Sequence, residues 1–218
     1  MGVMLIVLDL DDTLYLERDY VRSGFHAVGK WVSEKVGIRG FFEDAWGFFE
    51  KGERGTIFDR VLESRDLLKQ KLVLQMVEIY RSHDPDIHFL PDAQAFLQRT
   101  EKNNLALITD GPSISQWAKI SALKLDRYIK NILVTEDLGP GWNKPNPAAF
   151  RKIQGDLNSE SCCYVADNPQ KDFTGPLELE WSRSVRIRRE GSLHFNVPTP
   201  EGCIEIESLD ELSDSVKM

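Results

Sequence analysis

A three-layer α/β sandwich around a central parallel sheet is the fold class this sequence predicts, and three observations predict it. From about residue 88 onward, short apolar runs (LALIT, NILV, CCYVA) alternate with helical segments. Such alternation implies parallel pairing through right-handed crossovers. A first apolar strand, Leu5–Leu8, stands apart from that series near the N-terminus. Between the two, residues 16–88 carry helical periodicity and no strand-like run, so they are expected to form a separate, all-helical insertion. Residues 1–15 and 89–218 then make up the core.

The elements follow in order. Leu5–Leu8 reads as a buried strand that runs directly into Asp9, Asp11 and Asp12. In the insertion, Phe25, Val28, Val32 and Val36 share one helix face, and Leu68, Leu72, Met76 and Ile79 share another. The stretch DPDIHFLPDA, with two prolines, is the return hinge. Pro91 to Asn104 is predicted as a helix with Phe96 and Leu97 inward and Asn103-Asn104 as its stop. Then come LALIT as a strand, SISQWAKISALKL as a helix and NILVTED as a strand. NPAAFRKIQ is a helix opened by Asn146 and Pro147, and CCYVAD is a strand. RSVRIRR reads as a strand with one solvated, basic face. GCIEIESLDELSD adds a short strand and a terminal helical turn.

Composition narrows the function classes. A chain of 218 residues with 41% hydrophobic and 28% charged residues is an ordinary globular protein, large enough for one core with a smaller inserted domain. A net charge of -8 argues against a nucleic-acid partner, because affinity for a phosphate backbone rests on clustered Lys and Arg. Of three cysteines, Cys162 and Cys163 are adjacent in an apolar run. They offer neither a disulfide framework nor zinc spacing and are expected to be core thiols of a reducing compartment. VMLIVL is far shorter than the ~20 apolar residues that span a bilayer, and the N-terminus lacks signal-peptide character. A cytoplasmic monomer or homodimer with no membrane partner is expected.

Three carboxylates at the end of a buried strand need a physical reason. Two like charges ~4 Å apart repel by about 4 kcal/mol at an effective dielectric of 20, so a cation or a reaction is expected beside them. In an open parallel sheet, ligands bind beyond the carboxyl ends of the strands. The first strand ends in Asp9, Asp11 and Thr13, the second in Thr109, Asp110 and Gly111. GPGWNKPNP with Lys144 follows the third, and Asp167 and Asp172 follow the fourth. Each alone has a bland reading as a turn or a solvated side chain. Their order on this alternation argues for one site.

DLDDTL, LALITDG, NKPNPAAF and VADNPQKDF together resemble the four motifs of the haloacid dehalogenase superfamily, and residues 16–88 resemble the helical cap that its capped, phosphatase-like members insert between the first two. The resemblance implies a Rossmann-like core, Mg²⁺ as cofactor and a small phosphorylated metabolite as substrate. By the same resemblance Asp9 is the nucleophile that forms an aspartyl phosphate. Asp11 is the general acid and base, with a raised pKa, and Lys144 neutralises charge. Thr109 and the amides around Asp110 and Gly111 bind the phosphate. Asp9, Asp167 and the backbone carbonyl of Asp11 hold the metal. Asp172 and Thr13 act from behind them, Thr13 by hydrogen bonding the loop. Asp12 is expected to be a turn or capping acid.

Aspartate at position 11 implies an oxygen leaving group, since a halide leaves without a proton. Phosphomonoester hydrolase and sugar-phosphate mutase both meet that condition, and hydrolysis is favoured as the commoner outcome on this scaffold, with a receiver-type phosphoacceptor as a further alternative. The family's fourth motif often carries Gly where Ala166 stands here. VADNPQKDF followed by Trp181 is also similar to members found with surface-sugar biosynthesis, which points towards sugar phosphates. In the cap, FFEDAWGFFEKGERGT is expected to supply a loop over the site, with Trp46, Lys51 and Arg54 as candidate substrate contacts. His26, His83, His88 and His194 are expected at the surface or hinge.

Overall fold

The computed structural model describes residues 4–212, so the end of GCIEIESLDELSD, where a terminal helical turn is predicted, lies partly outside the described residues. Six strands form one parallel sheet: β1 (Leu5–Leu8), β2 (Leu105–Thr109), β3 (Asn131–Val134), β4 (Cys162–Ala166), β5 (Arg183–Ile187) and β6 (Ile204–Ile206), in the order β3-β2-β1-β4-β5-β6. β1 is central because its four residues are apolar and all buried, which suits a strand covered on both faces. The chain order reverses on either side of it. In register, Leu8 lies opposite Leu107 on one side and Val165 on the other. Asp9, Thr109 and Asp167 therefore leave the sheet at one edge.

The chain divides into two compact units, residues 1–18 with 87–218, and residues 19–86. In the first, α7 (Ala148–Asp156) turns Ala149, Phe150 and Ile153 onto a sheet face made by Leu5, Val7, Ile108 and Tyr164. The helix predicted from Pro91 ends sooner, as α5 (Pro91–Arg99), with a 3₁₀ turn at Lys102–Asn104 before β2. α6 (Ser113–Ala122) follows β2, and a short helix missed by the periodicity, α8 (Thr174–Glu178), follows β4.

The solvated basic face expected for RSVRIRR forms only in part, with Arg183 and Arg188 partly exposed. Arg186 is 1% exposed and Arg189 is buried, because the segment after β5 folds back and offers Arg186 acceptors while the Thr13 carbonyl meets Arg189. Among the described residues no helix is long and apolar enough to cross a membrane.

Residues 19–86 contain most of α1 (Glu17–Val36), then α2 (Phe41–Glu50), α3 (Ile57–Glu63) and α4 (Gln70–Ser82). Their interior is aromatic: the Phe25 ring lies 5.8 Å from Phe58, 6.0 Å from Tyr80 and 6.3 Å from Phe49. FFEDAWGFFEKGERGT is not a single loop. Phe41, Ala45 and Phe49, spaced i, i+4, bury one side of α2, and only the residues from Lys51 to Thr56 turn. His83 is neither at the surface nor free to hinge. It is buried, with Nδ1 2.6 Å from the Tyr80 carbonyl, and a Cβ at Gly24 would stand 2.4 Å from the Tyr80 ring beside it.

Candidate active site

The sheet edge gathers most of the residues the motifs single out. Asp9 is fixed by its own amide, which donates to the Val165 carbonyl of β4. Its Oδ1 accepts from the Lys144 ammonium at 2.6 Å, and the same Nζ stands 2.6 Å from Asp172 Oδ1. Tyr164, on β4, accepts a third bond from that Nζ at 3.0 Å. The Lys144 side chain is fully buried. Burial alone would lower its pKa, yet Asp172 and Asp9 beside it hold it well above the usual lysine range. Asp172 is itself fixed by the Asn168 amide at 3.0 Å.

Asp110 does structural work with its side chain: it accepts from Thr135 Oγ1 at 2.7 Å and from the Lys144 amide at 3.1 Å, which places the lysine. Thr109 is buried, its hydroxyl donating to Gln116 Oε1 at 3.1 Å, while Gln116 Nε2 donates to the Asp110 carbonyl at 2.9 Å. Gly111 has φ +135°, and a Cβ there would meet Gln116 Nε2 at 2.5 Å. Glycine thus suits the positive φ of the turn, and any Cβ there would displace the Gln116 amide from its bonds to Thr109 and Asp110.

Asp11 departs from expectation. Lys119 of α6 bonds both its carboxylate oxygens at 2.8 and 2.9 Å, and the Tyr15 hydroxyl donates a further short bond. Burial pushes the Asp11 carboxyl up, but Lys119 and Tyr15 outweigh it and hold the pKa below the usual value, not above it. Asp12 is a turn and capping acid: it adopts φ 52° and accepts from the amides of Glu17, the first residue of α1, at 2.7 Å and Leu193 at 2.8 Å. Thr13 is buried, but its hydroxyl has no partner and bonds no loop atom; its carbonyl instead accepts from Arg189 Nε at 3.0 Å.

Asp9, Asp167 and Asp172 each offer one oxygen within 4.8 Å of the others. Among the described residues Asp167 Oδ2 is buried without a hydrogen-bond partner, which is costly for a carboxylate unless a cation answers it. Burial and neighbouring acids push the Asp9 carboxyl up to about 7 and Asp167 well above its usual range. An all-oxygen set with one unanswered carboxylate fits a hard divalent cation such as Mg²⁺. Both Asp172 oxygens are already engaged, by Lys144 and the Asn168 amide, so Asp9 and Asp167 are the candidate side-chain ligands for such an ion.

The candidate cap residues are engaged within their own unit. Trp46 stacks with Phe49 at 5.1 Å, Lys51 sits 5.8 Å over Phe48, and Arg54 lies 3.9 Å over Phe49 with its guanidinium on the Phe49 carbonyl. Sequence reasoning missed Lys119, Gln116, Tyr15 and Tyr164. α6 inverts the usual pattern, since Gln116 and Lys119 are buried while Ile114 and Trp117 are exposed, so hydrophobic periodicity points away from them.

The sequence model of the haloacid dehalogenase-like hydrolases matches residues 3–175. The chain is 28% identical to the glyceraldehyde 3-phosphate phosphatase of Methanocaldococcus jannaschii over 97% of this chain and 96% of that one. It is 25% identical to the phosphoserine phosphatase of Thermus thermophilus, covering 85% of this chain and 88% of the relative. Among solved structures, the magnesium-bound HAD-hydrolase YfnB of Bacillus subtilis superposes over 100% of both chains with a TM-score of 0.69 at 17% identity. A 2-haloacid dehalogenase from Pseudomonas syringae does so over 99% of both at 0.64 and 21%.

Proposed function

The chain belongs to the haloacid dehalogenase-like hydrolase family, and within it we propose a Mg²⁺-dependent phosphomonoester hydrolase that works through an aspartyl phosphate on a small sugar phosphate. The observation that carries the reading is the buried Lys144 bridging Asp9 and Asp172, 2.6 Å from each, beside the unanswered Asp167 oxygen. Bound Mg²⁺, held by Asp9 and Asp167 with the Asp11 carbonyl, would supply positive charge to the phosphoryl oxygens. It would also favour ionised Asp9.

The chain's own residues do the rest. Asp9 attacks phosphorus, which splits one hard displacement into two easier ones. Lys144 neutralises charge on Asp9 and the transferring group as a fixed point charge. Thr109 and the amides near Asp110 and Gly111 orient the phosphoryl oxygens. Asp11, as held by Lys119, is in the ionised form that accepts a proton from the water cleaving the acyl phosphate. A dianionic phosphate nearby favours its protonated form, which gives the proton to the departing alcohol. The triose phosphate named for the M. jannaschii relative, together with the aspartate at position 11, supports a small phosphorylated alcohol as substrate.

The test is Mg²⁺-dependent phosphate release from p-nitrophenyl phosphate, glyceraldehyde 3-phosphate and phosphoserine, with Asp9→Asn as the silent control. A long-lived acyl phosphate without turnover would favour a phosphoacceptor role instead. Phosphate moving between hydroxyls of one sugar would favour a mutase.

A further inference from the structure

Arg186, on β5 next to the edge strand, is a large polar side chain only 1% exposed, and the chemistry above gives it no part. Taking a guanidinium out of water is costly unless its donors are met, and a well-packed apolar residue would serve stability as well or better. Its donors are met almost wholly by carbonyls. Nε reaches the Asp167 carbonyl at 3.3 Å, Nη1 the Val197 carbonyl and Thr199 Oγ1, the latter at 2.8 Å, and Nη2 the His194 carbonyl at 2.8 Å. Glu205 stands off at 3.8 Å with a side chain 37% exposed. The guanidinium therefore links two stretches of backbone and is not simply half of an ion pair.

One of those stretches carries the cation ligand. Arg186 lies in register with Ala166, the residue immediately before Asp167. Among the described residues no group hydrogen-bonds Asp167 Oδ2, while the Arg186 Nε is bonded to the Asp167 backbone and so acts on the carboxylate from behind. The other stretch leads to the nucleophile loop. The same connection after β5 donates from the Leu193 amide to Asp12 at 2.8 Å and from Arg189 Nε to the Thr13 carbonyl at 3.0 Å. Bidentate bonds to Asp92 at 3.1 and 2.8 Å hold Arg189 in turn.

We propose that Arg186 is a positioning residue that, by tying the Asp167 backbone to residues 194–199, sets the distance between the Asp167 and Asp9 carboxylates and so the affinity of the site for its divalent cation. The proposal rests on the Mg²⁺ reading above. Partners behind metal ligands commonly govern affinity in this way, by factors of ~10 to 100.

The test is a calorimetric titration of the whole protein with Mg²⁺ alone, together with thermal unfolding in EDTA and in saturating Mg²⁺. Arg186→Met should weaken Mg²⁺ about 10- to 100-fold and shrink the Mg²⁺-induced rise in Tm beyond any drop seen in EDTA. Arg186→Lys, which keeps the charge but cannot span both stretches, should fall between. Should Arg186→Met not fold, Arg186→Lys decides. Unchanged Mg²⁺ affinity in the folded variants overturns the proposal. So does equal weakening by Ile153→Ala, a core truncation away from the site, since that would mark a general loss of stability. If the unmodified protein itself binds no Mg²⁺, the cation reading fails first, and the inference with it.

Discussion

Residues 19–86 fill their interior with rings, whereas the sheet unit fills part of its interior with charge. Phe25, Phe41, Phe49, Phe58 and Met76 are buried in the former, and His83 is its one member among the buried polar side chains of the described residues. Asp9, Asp12, Lys119, Lys144, Asp167, Asp172, Arg186 and Arg189 are all buried in the latter. Apolar burial stabilises in proportion to area, while buried charge is retained at a cost that packing elsewhere must offset. The difference separates an interior that holds together by packing from one whose buried charges cluster as they do at functional sites.

Variants can break that contrast, and the largest effect should come from Asp9. Asp9→Asn is expected to lower phosphate release by about 10⁴-fold or more, in the range seen when a nucleophile is removed. Its unfolding midpoint should nevertheless stay level or rise, because a neutral amide replaces an acid that burial pushes up to about 7. Loss of stability in that variant would mean that the acid belongs to the fold and not to the reaction. Lys144→Met should forfeit both properties: activity falls, and about 3–5 kcal/mol of stability is lost in denaturant titration because Asp172 is left buried without its cation.

The aromatic unit should behave in the opposite way. Phe58→Ala is expected to cost about 3–5 kcal/mol, read as an earlier unfolding step reported by residues 19–86 in hydrogen exchange. Mg²⁺ affinity measured below that transition should be unchanged. A weakened cation site would show that the two interiors are not independent.

The smallest effect concerns Asp92, which sharpens the contrast because its charge is paired with Arg189 while its side chain keeps some exposure, 14%. Burial raises its pKa, but the bonds from Arg189, the Leu209 amide and Ser208 outweigh that and hold it below the usual value. A depressed carboxylate contributes stability that is fully present above its unfolded pKa of about 3.9 and is lost as pH falls through the lower native value. Asp92→Asn should therefore cost about 1 kcal/mol at neutral pH, allowing for solvent screening, and the difference from the unmodified chain should vanish progressively below about pH 4.

The sheet was legible because its strands are short, apolar and separated by helices, and residues such as Leu5–Leu8 have little other use. Asp9, Thr109, Lys144 and Asp167 stood out because each follows or ends a strand. What escaped were charged side chains buried by partners distant in the sequence. Arg186 and Arg189 belong to a run that alternates with Val185 and Ile187 as a solvated edge would, and only the return of residues 194–199 buries Arg186. Lys119 was hidden by the inverted faces of α6, and it reverses the direction expected for Asp11. Length alone could not separate loop from helix in the aromatic stretch FFEDAWGFFEKGERGT. There the i, i+4 spacing of Phe41, Ala45 and Phe49 held the answer.

The adjacent cysteines of β4 give the sheet a reporter of its own motions. Successive strand residues face opposite sides, so Cys162 belongs to the layer packed on α7 and Cys163 to the other. Burial raises the Cys162 thiol and pushes Cys163 up to about 12, while burial takes the half-buried Cys203 to about 11. With so little thiolate at neutral pH, alkylating reagents should find these sulfurs silent until a layer lifts away. The order in which Cys162 and Cys163 become labelled would then record, residue by residue, which side of the sheet opens first.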